Sequence, residues 1–286
     1  NFESLANEPY THYRSLYEKV LSDTSALNGK VYLFFDEIQE VEAWEKAIRS
    51  FMVDIDCDVY ITGSNAQLLS TELATYLSGR TIELMVYPLS YGEYLDFKQK
   101  PRKPSATLFE EYIRYGGFPG LHQMKEEAEN KDQYIKGIYN TVILKDVVQR
   151  NKIRESELLE RILHFLMDNI GNTVSAKKIA DFLKSQGRRF STETVYQYLE
   201  ALCNALIVHK VKRFDIKGKK ILETQEKYYL SDVGLKHAIL GYRRMDIAGI
   251  MENLVYLEAK RRGYEVSIGK SGSYEVDFVC AKKEQR

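Results

Sequence analysis

Cysteine is scarce in this sequence of 286 residues, and the three cysteines that are present lie far apart. Cys57, Cys203 and Cys280 form no C-x-x-C pair, which disfavours a zinc site. An odd number of widely spaced cysteines is typical of a reducing compartment, where disulfides are rare. We therefore expect a cytoplasmic protein.

Long apolar runs and excess charge are also absent. No stretch approaches the ~18 apolar residues of a membrane helix, and we expect neither a signal peptide nor a membrane partner. The 41 Lys and Arg equal the 41 Asp and Glu, which disfavours a surface coated with charge for nucleic acid but allows a local basic patch. Apolar residues make up 44%, enough for a sizeable core divided over about two domains.

The first 89 residues alternate between strand and helix patterns. Val31–Phe35 is a continuous apolar run, as in a strand covered on both faces, and residues 59–62 and 82–89 are two further predicted strands. Between them, residues 42–53 and 67–77 carry apolar side chains at helical spacing. This order predicts an α/β parallel sheet.

The rest of the chain predicts a helical segment, a winged helix and a small α+β tail. The helical segment ends in a long predicted helix at 126–150. Three helices and then a hairpin around Gly218 have the order of a winged helix, and one more helix and hairpin follow. The predicted domains are residues 1–89, the sheet core; 90–155, a lid or linker; 156–235, the winged helix; and 236–286, the tail.

Two adjacent carboxylates, Asp36 and Glu37, directly follow the first predicted strand. Like charges repel, so this pair makes physical sense where a cation binds. Open α/β sheets bind ligands at the carboxyl ends of their strands. There, proteins that hydrolyse nucleotides place an acid for Mg²⁺ and a group that orients the attacking water. The alternative is a strand that simply ends in solvated acids.

Polar residues also follow the next two predicted elements. Ser64 and Asn65 come after the second strand and can hydrogen-bond a γ-phosphate or a water, although either can equally cap a helix. Arg80 follows the next predicted helix and can reach a phosphate in its own or a neighbouring subunit, as arginine fingers do. The alternative for Arg80 is an ordinary surface arginine.

These segments together resemble a prokaryotic AAA-type ATPase family, from its Walker B strand to its sensor-1 region. The resemblance is carried by VYLFFDEIQEVEAWEKAIRS and VYITGSNAQLLSTELATYLSGRTIELMVYPLSYGEYLDF, then by YIRYGGFPGL, YIKGIYNTVILKDVVQRNKI, YYLSDVGLKHAIL and ENLVYLEAKRRGYEV. It implies that the α/β parallel sheet is the partial core of a P-loop NTPase. It also implies ATP and Mg²⁺ as cofactors, with Asp36 and Glu37 as the Walker B acids. It also implies that Ser64 and Asn65 form the sensor-1 group. Arg80 is then a catalytic arginine acting in trans or sensing nucleotide, which is compatible with an oligomer.

A phosphate-binding loop of the form G-x-x-x-x-G-K-[ST] is missing from the sequence. Gly29-Lys30 is followed by Val31, and Gly269-Lys270-Ser271 has Tyr264 where the first glycine is required. Asn1-Phe2-Glu3 resembles the end of the family's second strand, which predicts a loop just upstream. Without the loop's N–H groups and lysine, the β- and γ-phosphates lose their main contacts. We therefore expect weak or no ATP binding by the chain as given, and binding by the full-length protein.

Positive charge is concentrated in residues 171–222, which contain eleven Lys or Arg and four acids. Such a patch favours binding to the phosphates of double-stranded DNA. Tyr196 and Tyr198, on the predicted recognition helix, are expected near the groove. The alternative is a protein-docking module, because this helix is poor in Arg, Lys and Asn. The nucleic-acid candidates are Arg188, Arg189, Lys217, Lys219 and Lys220.

The tail resembles a restriction-endonuclease-like domain, in which a helical Glu, a strand Asp and a later E-x-K hold a metal. Glu252 and Asp277 have the first two positions, and the chain ends at Arg286 before an E-x-K. Solvated acids on a degenerate, structural domain are therefore the favoured interpretation. A metal-dependent nuclease ranks below two other functions: an ATP-dependent switch coupled to the winged helix, and a docking module without ATPase activity.

Overall fold

The computed structural model describes residues 1–64, 79–101, 103, 105–124, 128–149, 151, 153–188, 190–215, 220–271 and 274–282. The chain divides into two compact units, Asn1–Met85 and Val86–Arg286. The predicted helix at 67–77 lies outside the described residues.

In its described residues, the first unit contains two parallel strands, two α-helices and two short 3-10 helices, Leu5–Tyr10 and Ile38–Glu40. The helices are α1 (Tyr13–Thr24) and α2 (Trp44–Asp54), and the strands are β1 (Val31–Phe35) and β2 (Cys57–Ile61). Val31 lies opposite Cys57 and Phe35 opposite Ile61. The carboxyl ends of both strands therefore meet at one edge of the sheet, as the sequence predicts.

One face of β1 packs on the helices, and the other is open. Leu33 and Phe35 are buried, and the Phe35 ring stacks on Phe51 of α2 with centroids 5.7 Å apart. Tyr32 and Phe34 alternate with them and are exposed. The prediction of a strand covered on both faces is therefore wrong for the described part of this unit, since only the Leu33 face has a layer of helices.

The third predicted strand, at 82–89, does not form. Residues 81–87 have no regular secondary structure, and Ile82, Leu84 and Val86 are 90%, 79% and 88% exposed. Their alternating apolar pattern suits a strand, but a strand needs a neighbour to accept and donate its backbone hydrogen bonds. Within the residues that the structure describes, no strand pairs with residues 81–87, so the described parallel sheet contains two strands.

The second unit begins with helices. These are α3 (Tyr91–Phe97), α4 (Ala106–Tyr115) and α5 (Ala128–Thr141), and α5 continues into a π-helical segment, Val142–Gln149. A capping box begins α3, in which Ser90 and Glu93 satisfy each other's backbone N–H groups. The long helix predicted at 126–150 thus corresponds to α5 and the π-helical segment.

Three helices and a hairpin follow in the predicted order. The helices are α6 (Ser156–Asp168), α7 (Ala176–Ser185) and α8 (Thr192–Asn204), and the antiparallel strands are β3 (Val208–Asp215) and β4 (Lys220–Leu230). Ser175 and Ser191 cap α7 and α8 by accepting the N–H groups of Lys178 and Thr194. The chain then forms α9 (Gly234–Leu240), α10 (Ile247–Arg261), β5 (Glu265–Ser271) and β6 (Tyr274–Ala281).

The strands of the second unit form one sheet with the order β4-β3-β5-β6. The central pair, β3 and β5, is parallel, with Arg213 opposite Ile268. Strands from both sides of the predicted boundary at 235/236 therefore share a sheet, and that boundary stays a prediction. In the described part of the chain, no helix is both long enough and apolar enough to cross a bilayer.

Candidate functional site

The carboxyl ends of β1 and β2 are joined by backbone hydrogen bonds just beyond the sheet. Thr62 N–H donates to Phe35 O over 2.9 Å, and Ile38 N–H donates to Thr62 O over 3.2 Å. Thr62 therefore takes the position opposite Asp36, one step beyond the last strand pair. This pairing brings the residue that follows β2 to the acids that follow β1.

Two uncharged donors hold the Asp36 carboxylate. Thr62 Oγ1 donates to Asp36 Oδ1 over 2.5 Å, and Asn1 Nδ2 donates to Asp36 Oδ2 over 2.7 Å. Phe2 N–H also donates to the Asp36 carbonyl over 3.1 Å. Asp36 is exposed, so its orientation is fixed while solvent still reaches it.

Glu37 has a left-handed backbone conformation, with φ 55° and ψ 49°. For a residue other than glycine this costs about 1–3 kcal/mol, and such strain often occurs at functional sites. The Gln39 side-chain amide donates to Glu37 Oε2, and Ser64 Oγ lies 3.3 Å from the same oxygen. Residues from both strand ends therefore contact the half-buried Glu37 carboxylate.

The structure brings together three of the predicted site residues, Asp36, Glu37 and Ser64. Asn65 lies outside the described residues. Arg80 is exposed in the irregular segment after the predicted helix, and its role stays a prediction. Sequence patterns do not identify Thr62 as a contact of Asp36, although the register of two parallel strands ending together would have indicated it.

Asp36 fits a magnesium ion that arrives with a nucleotide. Proteins bind Mg²⁺ through one or two carboxylates together with waters and substrate phosphates. Asp36 offers one exposed carboxylate next to a hydroxyl. Among the residues described, no group of three or more His, Cys, Asp or Glu side chains is arranged to hold a metal by itself.

A second group of carboxylates surrounds Lys227 in the four-stranded sheet. Lys227 Nζ lies 2.8 Å from Glu252, 2.7 Å from Glu275 and 3.7 Å from Asp277, and Tyr229 OH donates to Glu252 over 2.5 Å. Burial lowers the pKa of Lys227, but the hydrogen bonds and the negative charges of Glu252 and Glu275 together outweigh burial and raise that pKa above its usual value. Glu252 and Asp277, the predicted metal ligands of the tail, are thus close together around an ammonium group.

The predicted DNA contacts are only partly described. Arg188 is exposed and forms an ion pair with Glu157 at 3.1 Å. Arg189, Lys217 and Lys219 lie outside the described residues, and Lys220 is the first residue of β4.

Helix α8 presents little positive charge to solvent. Tyr196 is exposed, but Tyr198 is buried in the core, so the prediction that both lie near a groove is wrong for Tyr198. Glu193 and Glu200 are also on the exposed side of α8. Exposed lysines lie instead on α7, at positions 177, 178 and 184.

A buried aspartate, Asp232, connects two of the sequence segments that carry the family resemblance, YIRYGGFPGL and YYLSDVGLKHAIL. Its buried carboxylate accepts the N–H groups of Gly117 over 2.7 Å and of Gly234 over 2.8 Å. Burial raises the pKa of Asp232 to about 6, although these two hydrogen bonds act in the opposite direction. A Cβ at Gly116 would lie 1.7 Å from Asp232 Oδ1. The glycines and Asp232 therefore connect two loops of the second unit and serve its structure.

Comparisons with known proteins cover nearly the whole chain. A family model described as an AAA domain matches residues 1–95, and one described as a domain of unknown function matches residues 106–246. An uncharacterized protein of Haemophilus influenzae is 37% identical over 287 residues, which is all of this chain and 71% of that protein. An uncharacterized protein of Methanocaldococcus jannaschii is 35% identical over 263 residues, 86% of this chain and 58% of that protein.

A solved structure is similar in fold. The Walker-type ATPase PABY2304 of Pyrococcus abyssi aligns with a TM-score of 0.52 at 15% identity, over 81% of each chain. At this identity the likeness concerns the fold alone. By its identity to the Haemophilus influenzae relative over its whole length, the chain belongs with that relative to one family, whose first 95 residues in this chain match an AAA-like domain.

Proposed function

We propose that this protein is an ATP-hydrolysing switch of the AAA type, in which Asp36 and Glu37 act on the nucleotide. The observation that carries the proposal is the arrangement at the strand ends. Asp36 and Glu37 follow β1, and two hydroxyl residues follow β2. The Thr62 hydroxyl lies within hydrogen-bonding distance of Asp36, and the Ser64 hydroxyl within that distance of Glu37. Parallel α/β sheets bind nucleotides at this edge.

Each residue has a role that follows from its chemistry. Asp36 would hold Mg²⁺, which supplies positive charge for the phosphate oxygens when it is bound. Glu37 orients and polarises the attacking water, since its carboxylate is the proton acceptor next to Asp36. We assign Ser64, together with Asn65, to the γ-phosphate or to that water, because both side chains can donate a hydrogen bond to either. Arg80 stabilises the charge that develops on the transferred phosphoryl group.

Nucleotide affinity in proteins of this kind comes mainly from the N–H groups and lysine of a glycine-rich phosphate loop. The sequence has no glycine-rich phosphate loop, and the exposed Tyr32, Phe34 and Tyr60 leave one face of the β1–β2 sheet available for packing. We expect this chain alone to bind ATP weakly or not at all, and the full-length protein to bind it. Calorimetry showing micromolar, Mg²⁺-dependent ATP binding by the chain alone would contradict this.

Glu37→Gln in the full-length protein tests the hydrolytic role. The amide cannot accept a proton, so we expect turnover to fall at least about 100-fold while ATP binding is kept. Glu40→Gln is the matched control, because Glu40 lies in the same short turn and is exposed. Unchanged turnover in Glu37→Gln would remove Glu37 from its role, and an equal loss in both variants would indicate damage to the turn.

The second candidate is a docking module at residues 156–235, with or without ATPase activity. Three helices and a hairpin support a winged helix, and α7 carries exposed lysines at 177, 178 and 184. The acids on the exposed side of α8 favour a protein partner over DNA in a groove. Duplex DNA binding that weakens steeply with salt would support DNA as the partner. Binding that is insensitive to charge reversal of these three lysines would contradict it.

A metal-dependent nuclease remains the least favoured function. Lys227 lies among Glu252, Glu275 and Asp277, so an ammonium is already present where a metal would have to bind. Mg²⁺-dependent cleavage of DNA by the full-length protein that Asp277→Asn abolishes would overturn this ranking.

A further inference from the structure

The short turn after β1 contains Gln39, whose side chain hydrogen-bonds to Glu37, the second acid of the pair. Gln39 lies in the short 3-10 turn Ile38–Glu40, and its amide nitrogen donates to Glu37 Oε2. Its amide oxygen is buried without a hydrogen-bond partner among the described residues. A buried amide oxygen left unsatisfied is costly, and turning the amide over would place that oxygen against a carboxylate. The contact with Glu37 therefore determines the orientation of the amide.

The turn that carries Gln39 is anchored in the core. Ile38 and Val41, on either side of it, are almost fully buried. Val41 N–H donates to Ile38 O over 3.0 Å, and Glu40 N–H donates to Glu37 O over 3.1 Å. The amide is thus presented from a rigid support, two residues from the strained backbone of Glu37. Rigid supports of this kind hold reacting groups in productive geometry.

We propose that Gln39 is a positioning residue, which holds the Glu37 carboxylate in place for the hydrolytic water. The inference rests on the proposed function, because it assigns Gln39 a task only if Glu37 acts in hydrolysis. Gln39 touches neither nucleotide nor water in this scheme and acts through Glu37 alone. Ser64, from the other strand end, supplies the second donor to the same oxygen.

Steady-state and single-turnover ATPase measurements on the full-length protein with Gln39→Leu test the inference. Leucine has a similar size but no donor, so we expect kcat to fall by about tenfold or more through misplacement of Glu37. The KM for ATP and the ATP affinity should not change. In a Glu37→Gln background, adding Gln39→Leu should lower the residual rate no further, since the group on which Gln39 acts has already been changed.

Glu40→Gln, in the same turn, is the control and should keep the wild-type kcat. The inference is overturned if Gln39→Leu leaves kcat unchanged, raises KM instead, or costs as much in the Glu37→Gln background as in the wild type. An active wild type that Glu37→Gln inactivates, combined with a fully active Gln39→Leu, overturns the inference and leaves the proposed function intact. A wild type without ATPase activity overturns both.

Discussion

The carboxylates after β1 and those around Lys227 differ in what compensates their charge. Asp36 is held by a hydroxyl and an amide, both uncharged, whereas Glu252 and Glu275 share a buried ammonium. A neutral donor fixes the orientation of a carboxylate and leaves its negative charge available to a cation. An ammonium neutralises that charge. The first arrangement suits a site that receives a metal ion, and the second suits a structural link between β4, β6 and α10.

Lys227→Met should cause the largest loss of stability, because it removes the ammonium group that neutralises Glu252 and Glu275. The Lys227 side chain is 2% exposed, and removing one partner of a buried ion pair costs about 3–5 kcal/mol. We expect a loss near the lower end, about 3 kcal/mol, since Asp277 is largely exposed and solvent screens it. Urea unfolding of the variant and the wild type measures this loss as a difference in the free energy of unfolding.

Lys19→Met is the matched control for Lys227→Met. Lys19 forms an exposed helical ion pair with Asp23 at 2.6 Å, and solvent screening leaves such pairs little effect on stability. Equal stability losses in the two lysine variants would show that burial does not distinguish the two ion pairs.

Asp232 shows how burial changes a carboxylate that is held by uncharged donors. Backbone N–H groups hold Asp232 as uncharged side chains hold Asp36, but Asp232 is buried and Asp36 is exposed. Its folded-state pKa is about 6, above the unfolded value of 3.8. Between these values the folded state binds more protons, so stability from this group is complete below pH 3.8 and is lost as pH rises through about 6. One pKa unit corresponds to about 1.4 kcal/mol. We therefore expect the contribution of Asp232 to the free energy of unfolding to fall by about 2–3 kcal/mol across this pH window.

Asp232→Asn should remove that pH dependence. Asparagine has a similar shape and does not titrate, and its oxygen can accept one of the two glycine N–H groups. Unfolding free energies measured from pH 4 to pH 7 give the difference between variant and wild type. A difference that is constant over this range would contradict the raised pKa of Asp232.

A pair of hydroxyl deletions gives the smallest expected effect. Tyr229→Phe removes the donor to Glu252, and Thr62→Val removes the donor to Asp36. We expect a loss of about 1.5–2 kcal/mol for the first and about 1 kcal/mol or less for the second, since water replaces a donor more readily at the exposed Asp36 than at Glu252, whose side chain is 16% exposed. Thermal unfolding of both variants measures the difference, and a larger loss for Thr62→Val would reverse our ranking of the two sites.

Local patterns predict the elements of this fold better than its pairings. The run Val31–Phe35 and the cap at Ser191 depend on neighbours in sequence, and both are as predicted. Residues 82–89 have an equally good strand pattern, but a pattern cannot supply the partner that the strand requires. The same limit applies to the parallel pairing of β3 with β5, which joins residues more than fifty positions apart.

The candidate site is predictable to the same extent. Asp36 and Glu37 stand out because two acids end an apolar run, and Ser64 because it follows the next strand. Lys227 has no such signal. It becomes adjacent to Glu252 and Glu275 only when α10 packs on the sheet that contains β4 and β6, and alternation along a strand does not show which chain segment will lie across from it.

The pairing of β3 with β5 also bears on how the chain can be shortened. A fragment that stops before residue 265 would lose β5 and β6 and leave the hydrogen-bonding groups of β3 from 213 to 215 without their partners. Such an open edge readily recruits a strand from another molecule. Fragments made to isolate the three helices and the hairpin should therefore keep the last two strands, or they will be prone to self-association.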